Sequence, residues 1–479
     1  MYWGRIIRMR NEELKEITGL NALLQKMNYS SIPGKKSVAK MKFYRTKKAI
    51  KKELDTLDSC LEYFSDEIYA NRIKKLLGSL RDVTHTLKQI ESTEYVLDDI
   101  QLFELKEFAL LSEEFRRIMN NCPEFLELKK LDDVVKLLDP ENTKLRHFYI
   151  YSAYDRELEK LRAEKKKLLR AKTDPERLRE IETMEQEIEE KVRERLSKSL
   201  SEKHESLNEN FKRLIDLDIY LAKIDLIRRY KLNKPVISED EINYKGLFNP
   251  LLKESLEHIK KEFQPVNVRI NCGSTVITGA NMTGKSVLLR TLALSQQLFQ
   301  MGFYVPSEKA KIAPVDTLHL ISGDYQSMLK GLSSFAAEMV ELDRAVKDTE
   351  KGQKGLLLFD EPAKNTNPYE GNAIVKACIL FFKDKKTFAV IATHYDLMLE
   401  NNEIIQYRVK GLREEGYAKK EIHPENIIDY VDYSLQQVDS EETVPKEALR
   451  VLKLLKLDNP IFNKAENILL EDRRNKENE

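Results

Sequence analysis

Hydrophobic positions in the first half of the chain recur at helical spacing. Residues 43 to about 138 are rich in Leu, Glu and Lys, and apolar side chains stand three and four positions apart. One such series consists of Leu54, Leu57, Leu61 and Phe64. Residues at this spacing share one face of a helix, so the segment predicts amphipathic helices packed on one another.

The stretch from residue 152 to 230 predicts two long antiparallel helices. Its only proline, Pro175, follows the turn-forming residues Thr173 and Asp174. The returning helix carries a narrow apolar seam formed by Leu178, Ile181, Met184, Ile188, Val192, Leu196 and Leu200. Because this spacing is typical of coiled coils, we expect an extended helical hairpin.

A basic cluster lies near the predicted tip of this hairpin. It consists of Lys165, Lys166, Lys167, Arg170 and Lys172. These side chains suit contacts with the phosphates of DNA. Since Glu and Arg alternate along both arms, a solvated coiled-coil face explains the cluster equally well, and both interpretations stay open.

The second half of the chain alternates short apolar runs with helical patterns. Buried strands are predicted at 274–278, 356–359 and 387–392, and helices at 287–294, 334–346 and 368–382. Strands separated by helices specify a mainly parallel sheet that is covered on both faces. We therefore expect an α/β domain preceded by an all-α half.

The first of these strands leads into a complete phosphate-binding loop. The pattern G-x-x-x-x-G-K-[ST] is formed by Gly279, Ala280, Asn281, Met282, Thr283, Gly284, Lys285 and Ser286. Between a strand and a helix, the backbone N–H groups of such a loop point at phosphates. Lys285 is predicted to reach the β and γ oxygens of a nucleotide, and the Ser286 hydroxyl to bind Mg²⁺.

Two further strand ends carry groups that act on a nucleotide. The strand 356–359 is followed by Asp360, predicted to bind Mg²⁺, and Glu361, predicted to orient or deprotonate the attacking water. His394 follows the third strand, where its imidazole could sense or polarise the γ-phosphate. These motifs predict an α/β P-loop NTPase that uses ATP and Mg²⁺.

Composition and charge exclude several classes of protein. No apolar run approaches the roughly 18 residues of a membrane span, and the N-terminus does not resemble a signal peptide, so we expect a cytoplasmic protein without membrane contact. The 4 cysteines stand far apart, which indicates neither a disulfide framework nor a zinc site. With a net charge of +1, any basic surface must be local.

Five motifs in order resemble the MutS family of ATPases. They are the loop beginning at Thr278, Gly302-Phe-Tyr-Val-Pro-Ser-Glu308, Ser333-Ser-Phe-Ala-Ala-Glu-Met339, Asp360-Glu361 with Thr366 and Gly371, and Ala392-Thr-His-Tyr395. The resemblance is strong from about Leu247 onward and weak over residues 32–230, where the helices resemble the family's lever and clamp. It implies an ABC-like ATPase domain that works as a dimer with two composite nucleotide sites.

The resemblance also implies roles for single residues. Asn281 resembles the loop asparagine that contacts the nucleotide and the metal shell. Phe263 is similar in place to the aromatic residue that stacks on adenine, although a core phenylalanine fits as well. Ser333 falls where the family supplies a serine across the dimer interface to the partner's γ-phosphate. Hydrolysis would then require a second subunit, either an identical chain or a paralogue.

The resemblance gives a domain organisation. We expect an N-terminal segment at 1–40, a helical lever at 41–151, a clamp-like hairpin at 152–212, a return helix and linker at 213–240, an ATPase domain at 241–435 and a helical dimerisation segment at 436–479. An apolar face in the last segment is formed by Leu449, Leu452, Leu455 and Leu457. An intramolecular core would give the same apolar face.

Departures from the family pattern narrow the expected function. The chain as given has no room before its lever for the mismatch-reading and connector domains, and no nuclease-like extension follows its tail. The family's Gly-Arg-Gly-Thr-Ser run after Asp-Glu is replaced between Ala363 and Gly371. Ordinary mismatch reading is therefore not expected.

Two function classes remain. In the first, the arms of a dimer close around DNA, such as a branched or recombining duplex. In the second, they grip a protein, because the run from Asn367 to Gly371 resembles truncated MutS-like ATPases associated with reactivating cobalamin-dependent aminomutases. The near-zero net charge favours the second class and the family default favours the first, which we take as the leading hypothesis.

Overall fold

The computed structural model describes residues 12–143, 149–172, 174–280, 282–322, 334–395, 404–413 and 427–438, together with 460–462, 464 and 468. The chain divides into two compact units. We call residues 27–41 and 56–225 the helical unit. The remaining described residues form the sheet unit, which begins with residues 12–26 and 42–55 and continues from 226.

Helices dominate the first half of the chain, as the hydrophobic spacing predicts. In chain order the helices are α1 Leu20–Gln25, α2 Ile32–Ser37, α3 Lys47–Tyr63, α4 Glu67–Leu77, α5 Thr84–Gln89, α6 Asp99–Ile118, α7 Asp132–Leu138, α8 Arg156–Ala171, α9 Pro175–Ser201, α10 His204–Tyr230, α11 Pro250–His258, α12 Lys285–Gln300, α13 Ser334–Glu350 and α14 Pro368–Lys383. Residues 12–17 are also helical. Short 3-10 helices lie at Val38–Lys40, Glu124–Leu126, Ser152–Tyr154 and Ile427–Tyr430.

Helix α6 illustrates how the helical unit folds from its sequence. The Asp98 side chain accepts a hydrogen bond from the backbone N–H of Gln101 at 2.8 Å, and the Gln101 side chain accepts one from the N–H of Asp98 at 3.0 Å. This capping box satisfies N–H groups that a helix leaves free at its start. The apolar residues that the helix buries are Leu102, Leu105, Phe108, Ala109 and Phe115. Their spacing confirms the predicted amphipathic helices.

The helical unit also encloses an ion pair that the sequence did not reveal. Lys106 of α6 and Asp139 are 0% and 1% exposed in their side chains, and the lysine Nζ lies 3.2 Å from Oδ1 of the aspartate. The Tyr151 hydroxyl accepts from Lys106 at 2.8 Å and donates to Asp139 at 3.1 Å. Thr143 donates to the same carboxylate oxygen at 2.8 Å. The pair is therefore buried within a network of hydrogen bonds.

Helices α8 and α9 lie side by side within the helical unit. Arg162 of α8 forms ion pairs of 2.8 Å with both Glu185 and Glu189 of α9. Nearer the connection, Arg177 of α9 lies 3.0 Å from Glu164 of α8. Asp174 has a left-handed backbone, and its carboxylate caps α9 by accepting the N–H of Arg177.

The structure changes two details expected along these helices. Met184 was expected in the apolar seam but is 43% exposed, whereas its neighbour Glu185 contacts α8 through an ion pair with Arg162. Lys165, expected in the basic cluster, lies 2.8 Å from Glu185 and is paired along the helix pair. The other basic side chains of the cluster are exposed, namely Lys166, Lys167, Arg170 and Lys172.

The sheet unit contains two sheets. The strands are β1 Val236–Ile237, β2 Glu241–Leu247, β3 Val266–Asn271, β4 Gly273–Thr278, β5 Lys309–Ile312, β6 Thr317–Ser322, β7 Gly355–Asp360, β8 Phe388–Thr393, β9 Ile405–Leu412 and β10 Val431–Gln437. The larger sheet has the order β10-β9-β4-β8-β7-β6. Its strand pairs are parallel except β9 with β10. The predicted α/β region with a mainly parallel sheet is confirmed.

Helices cover both faces of the larger sheet. Leu356 and Leu358 of β7 point into the core that contains α12, whereas Leu357 and Phe359 point into the core that contains α13 and α14. Successive strand residues point to opposite faces, so a run of apolar residues is buried on both sides. This explains why the central strands are continuous apolar runs.

The smaller sheet, ordered β1-β5-β2-β3, was not predicted from the sequence. Strand β3 buries Val266, Val268 and Ile270 and exposes the residues between them. Its side chains join the core on the α12 side of the larger sheet. Such alternation is typical of a sheet that is covered on one face.

The sheet unit also includes residues from the predicted lever segment. Ile50 and Leu54 of α3 are fully buried in the core that contains α12. The backbone N–H of Tyr44 donates to the carbonyl of Gln300 at the end of α12. Helical periodicity identifies an apolar face but not the element that covers it, so the sequence did not indicate this grouping.

None of the described helices is both long enough and apolar enough to cross a membrane.

Candidate nucleotide-binding site

The parallel strands bring the predicted site residues to one edge of the larger sheet. Thr278 at the end of β4 pairs in register with Thr393 of β8. Asp360 at the end of β7 pairs with Ala392 of β8 and, on its other side, with Ser322 of β6. The residues that follow these strand ends therefore lie at a common carboxyl edge, where open α/β sheets bind ligands.

The loop between β4 and α12 turns tightly from the strand into the helix. Met282 and Gly284 have left-handed φ angles of 74° and 83°. The Thr283 hydroxyl donates to the carbonyl of Ala280 at 2.7 Å and closes the turn. Helix α12 begins at Lys285, so its free N–H groups face the loop. The predicted ligand-contacting residue Asn281 lies outside the described residues.

Lys285 is buried in the centre of this loop. Its ammonium donates to the carbonyls of Gly279 and Ala280 at 2.7 and 2.9 Å, and it lies 3.5 Å from Oε1 of Glu361. Burial lowers the pKa of Lys285, and the nearby Glu361 carboxylate partly offsets that effect. The cation is thus held where a bound phosphate chain would compete for it.

Ser286 and Asp360 form the pair that could hold a metal ion. The Ser286 hydroxyl donates to Oδ1 of Asp360 at 2.9 Å. Burial desolvates the carboxyl group of Asp360 and raises its pKa, and a cation beside it would favour the charged form. Hydroxyl and carboxylate oxygens suit Mg²⁺, which keeps waters and phosphate oxygens as its other ligands. No group of three or more His, Cys, Asp or Glu side chains among the described residues could hold a metal ion. The pair of Ser286 and Asp360 fits Mg²⁺ when phosphate oxygens and waters supply the other ligands.

Glu361 lies between the Lys285 ammonium and the His394 imidazole. Nδ1 of His394 lies 3.6 Å from Oε1 of Glu361, which is an ion-pair distance and longer than a hydrogen bond. The imidazole, followed by the Lys285 ammonium, lowers the pKa of Glu361 to about 2 even though burial opposes the shift. Glu361 and Asp360 are adjacent, yet their pKa values move in opposite directions. Such divergence is typical of carboxylates with different roles in one site.

An apolar pocket opens beside the phosphate loop. Its volume is about 310 Å³, and its lining includes Phe263, Leu288, Tyr433 and the loop residues from Met282 to Lys285. The Tyr433 ring lies so close to Gly284 that a Cβ there would meet its Cδ1 at 3.0 Å. The Gln264 side chain accepts from the N–H of Tyr433 at 3.1 Å and so ties the Phe263 segment to β10. The pocket has the size and lining of a site for a flat aromatic base.

Residues 275–471 match the family model of MutS domain V.

Members of that family are ATPases. The chain is 33% identical over 226 residues to an endonuclease MutS2 of Ligilactobacillus salivarius, covering 46% of this chain and 27% of that protein. It is 27% identical over 265 residues to a DNA mismatch repair protein MutS of Bacillus pumilus, covering 54% and 29%. A DNA mismatch repair protein MutS of Thermus aquaticus is 30% identical over 215 residues, covering 45% and 25%. The chain thus spans less than a third of each of these relatives.

The segment that matches the MutS domain V model contains most, but not all, of the predicted site residues. Lys285, Ser286, Asp360, Glu361 and His394 lie together at the carboxyl edge of the sheet. Phe263 precedes the matched segment and lines the same pocket as the loop. Ser333 and most of the predicted dimerisation segment lie outside the described residues.

The structure adds site residues that the sequence did not indicate. Tyr433 comes from β10, an antiparallel strand more than a hundred residues beyond the loop, and no local pattern predicts its approach. Glu338 belongs to a motif that the sequence identified, but its side chain is buried and accepts the N–H of Ala363 at 2.9 Å. Motif position alone did not reveal that contact.

Proposed function

We propose that this chain is a MutS-type ATPase, which hydrolyses ATP with Mg²⁺ and uses the cycle to move helical arms on DNA. The observation that carries the proposal is the convergence of Lys285, the Ser286 and Asp360 pair, and Glu361 at one sheet edge. The MutS domain V match of residues 275–471 supports it. Ordinary mismatch reading is not part of the proposal.

Each polar residue has a distinct task in the proposed reaction. Lys285 binds the β and γ oxygens of ATP, while Ser286 and Asp360 hold the metal ion. The ion, when bound, neutralises charge that develops on the transferred phosphoryl group. Glu361 remains ionised and orients the attacking water, and His394 keeps that carboxylate charged beside the γ-phosphate.

Tyr433, which lines the pocket together with Phe263, is proposed to stack on the base. Because base stacking on an aromatic ring is worth about 1–3 kcal/mol, Tyr433→Ala should weaken ATP binding roughly 5- to 150-fold. Tyr433→Phe keeps the ring and should bind as the wild type does. Equilibrium binding of a fluorescent ATP analogue measures both. Tyr95→Ala, at an exposed tyrosine of the helical unit, is the control. Unchanged affinity in Tyr433→Ala would rule out the stacking role.

Ser333 is proposed to act on the nucleotide of a second subunit. Since hydrogen bonds to charged groups are worth about 1.5–3 kcal/mol, Ser333→Ala should lower turnover roughly 10- to 100-fold while ATP binding stays nearly intact. Lys285→Ala should instead lose ATP binding.

Mixing these two variants gives a direct test of the trans role. A dimer of one Ser333→Ala chain with one Lys285→Ala chain contains one complete composite site, so the mixture should recover part of the turnover. If Ser333 acts within its own chain, the turnover of the mixture stays at or below that of Ser333→Ala alone.

The helices α8 and α9 are the proposed arms. Among the described cluster residues, Lys166, Lys167, Arg170 and Lys172 are exposed near the connection of these helices, so they are accessible to DNA phosphates. In this proposal the hairpin at 152–212 contacts DNA, and the segment at 436–479 holds the dimer together. ATP binding and hydrolysis then open or close the arms.

Salt dependence tests the contact between this cluster and DNA. Each phosphate contact contributes about 0.9 to the slope of log affinity against log salt. Changing Lys166, Lys167, Arg170 and Lys172 to Gln should therefore flatten that slope, with ATP turnover in the absence of DNA unchanged. Retention of duplex, branched and mismatched DNA on filters at several salt concentrations gives the slope. Lys351→Gln, at an exposed lysine of the sheet unit, is the control.

A protein client is the second candidate for the arms. The net charge of +1 and the pairing of Lys165 with Glu185 reduce the positive field available to attract DNA. A client such as a cobalamin-dependent aminomutase, reactivated at the expense of ATP, then becomes the alternative. Absence of DNA retention at low salt contradicts the DNA function and favours this one.

A further inference from the structure

The turn that follows Glu361 has an unusual backbone. Glu361 and Ala363 have left-handed φ angles of 52° and 60°, although neither is glycine. Side chains with a Cβ disfavour this region, and such residues persist only where surrounding contacts hold them. Ala363 is fully buried, so protein groups rather than water must supply those contacts.

Two side chains hold the peptide groups of Ala363 from opposite sides. Oε1 of Glu338, on α13, accepts the backbone N–H of Ala363 at 2.9 Å. The hydroxyl of Tyr395, which follows His394, donates to the carbonyl of Ala363 at 3.3 Å. The turn is therefore held by one residue of α13 and one residue that follows β8.

Gly371 makes room for this arrangement. A Cβ at position 371 would lie 2.3 Å from the Tyr395 hydroxyl and 3.0 Å from the carbonyl oxygen of Ala363. The first distance is shorter than any van der Waals contact, so a larger residue would displace the tyrosine. The N-terminal turn of α14 thus packs directly against the held peptide.

Burying the carboxyl group of Glu338 is energetically unfavourable unless it makes a specific contact. It is 1% exposed, and its Oε2 has no hydrogen-bond partner among the described residues. Burial raises the pKa of its carboxyl group, which favours the neutral form. An apolar side chain would fill the same volume without the desolvation penalty, but it would leave the N–H of Ala363 without an acceptor. The hydrogen bond to Ala363 is therefore what the carboxyl group contributes at this position.

We infer that Glu338 is a positioning residue, which acts through the Ala363 turn to aim the carboxylate of Glu361 at the attacking water. The inference rests on the proposed ATPase function. Glu338 lies about one turn from the start of α13 at Ser334.

Two substitutions at position 338 test the inference. Glu338→Ala leaves the buried N–H of Ala363 unpaired and frees the turn, and misplacing the Glu361 carboxylate in this way should lower kcat by up to about 10²-fold while the Kd for ATP changes less than about twofold. Glu338→Gln keeps an acceptor oxygen and should retain most of the turnover. Glu350→Ala, at an exposed glutamate on the same helix, is the matched control. Loss of ATP binding together with kcat, or equal loss in the Gln and Ala variants, overturns the positioning role.

Gly371→Ala is a second test, because it disturbs the contact between Tyr395 and the Ala363 carbonyl. It should displace the Tyr395 hydroxyl and lower kcat with ATP binding retained, although alanine is the better helix former. Turnover equal to wild type would contradict the inference, and this holds even if Glu338→Ala fails to fold.

Hydrogen exchange separates this inference from the ATPase proposal. In nucleotide-free protein, the Ala363 amide should exchange faster in Glu338→Ala than in wild type, Glu338→Gln or Glu350→Ala. Equal exchange in all four proteins refutes the contact. A wild-type chain that hydrolyses no ATP contradicts the proposed function instead, and the exchange result still decides whether Glu338 holds the turn.

Discussion

Replacing Glu361 with glutamine is expected to leave ATP bound but almost unhydrolysed, with turnover reduced on the order of 10²- to 10⁴-fold. Glutamine keeps the size of the side chain and an oxygen that can face Lys285. It loses the negative charge that orients the attacking water. The substitution thus removes the chemical step without removing the phosphate site.

The charge state of Glu361 makes this expectation specific. Its pKa of about 2, set by His394 and Lys285, keeps the carboxylate ionised at every pH at which the protein would be assayed. Wild-type turnover between about pH 5 and 8 should therefore show no titration of this residue. Single-turnover hydrolysis and the ATP retained after gel filtration measure the effect. Glu350→Gln is the control, and undiminished hydrolysis in Glu361→Gln removes Glu361 from the mechanism.

The same pKa shift has a consequence for stability. A carboxylate whose pKa is lower in the folded state stabilises that state fully above its unfolded value of 4.5, and the stabilisation is lost as the pH falls toward 2. Protonation of Glu361 therefore contributes to acid unfolding only between about pH 4.5 and pH 2. Its contribution is constant across the neutral range in which turnover is measured.

Lys106→Met is expected to produce the largest loss of stability. The change leaves the Asp139 carboxylate buried without its cation, and breaking a buried pair in this way costs about 3–5 kcal/mol. Tyr151 and Thr143 still donate to that carboxylate, but neither supplies charge. For a unit of this size the midpoint of thermal unfolding should fall by roughly 6 to 20 °C.

Circular dichroism of the helical transition measures this loss. Lys129→Ala is the control, because Lys129 forms an exposed pair of 3.9 Å with Glu209 in the same unit. Exposed pairs contribute about 0–1 kcal/mol, so the control should unfold near the wild-type temperature. If Lys106→Met is as stable as that control, the lysine is not a buried cation of the folded unit.

Several site residues could be predicted from short, contiguous stretches of sequence. The phosphate loop was predicted because Gly279 to Ser286 and the flanking strand and helix are contiguous in sequence. Asp360, Glu361 and His394 were predicted because parallel strands align their carboxyl ends, so a residue after a buried strand has a known edge. Each of these inferences needs only the chain near the residue concerned.

Long-range contacts could not be predicted in the same way. Tyr433 reaches the pocket through an antiparallel edge strand, and Ile50 and Leu54 reach the sheet core from the predicted lever. Lys106 lies on the apolar face of α6, where periodicity alone predicts a hydrophobic residue. In each case the sequence specifies a side chain, and tertiary packing decides what covers it.

Hydrolysis of ATP by the purified 479-residue chain, with and without Mg²⁺, tests the central claim most directly. The proposed site predicts saturable hydrolysis that requires Mg²⁺. The hydrolysis rate per chain should rise with protein concentration as dimers form. Hydrolysis should be lost in Glu361→Gln while ATP remains bound. A chain that neither binds nor hydrolyses ATP in the presence of Mg²⁺ would contradict the claim.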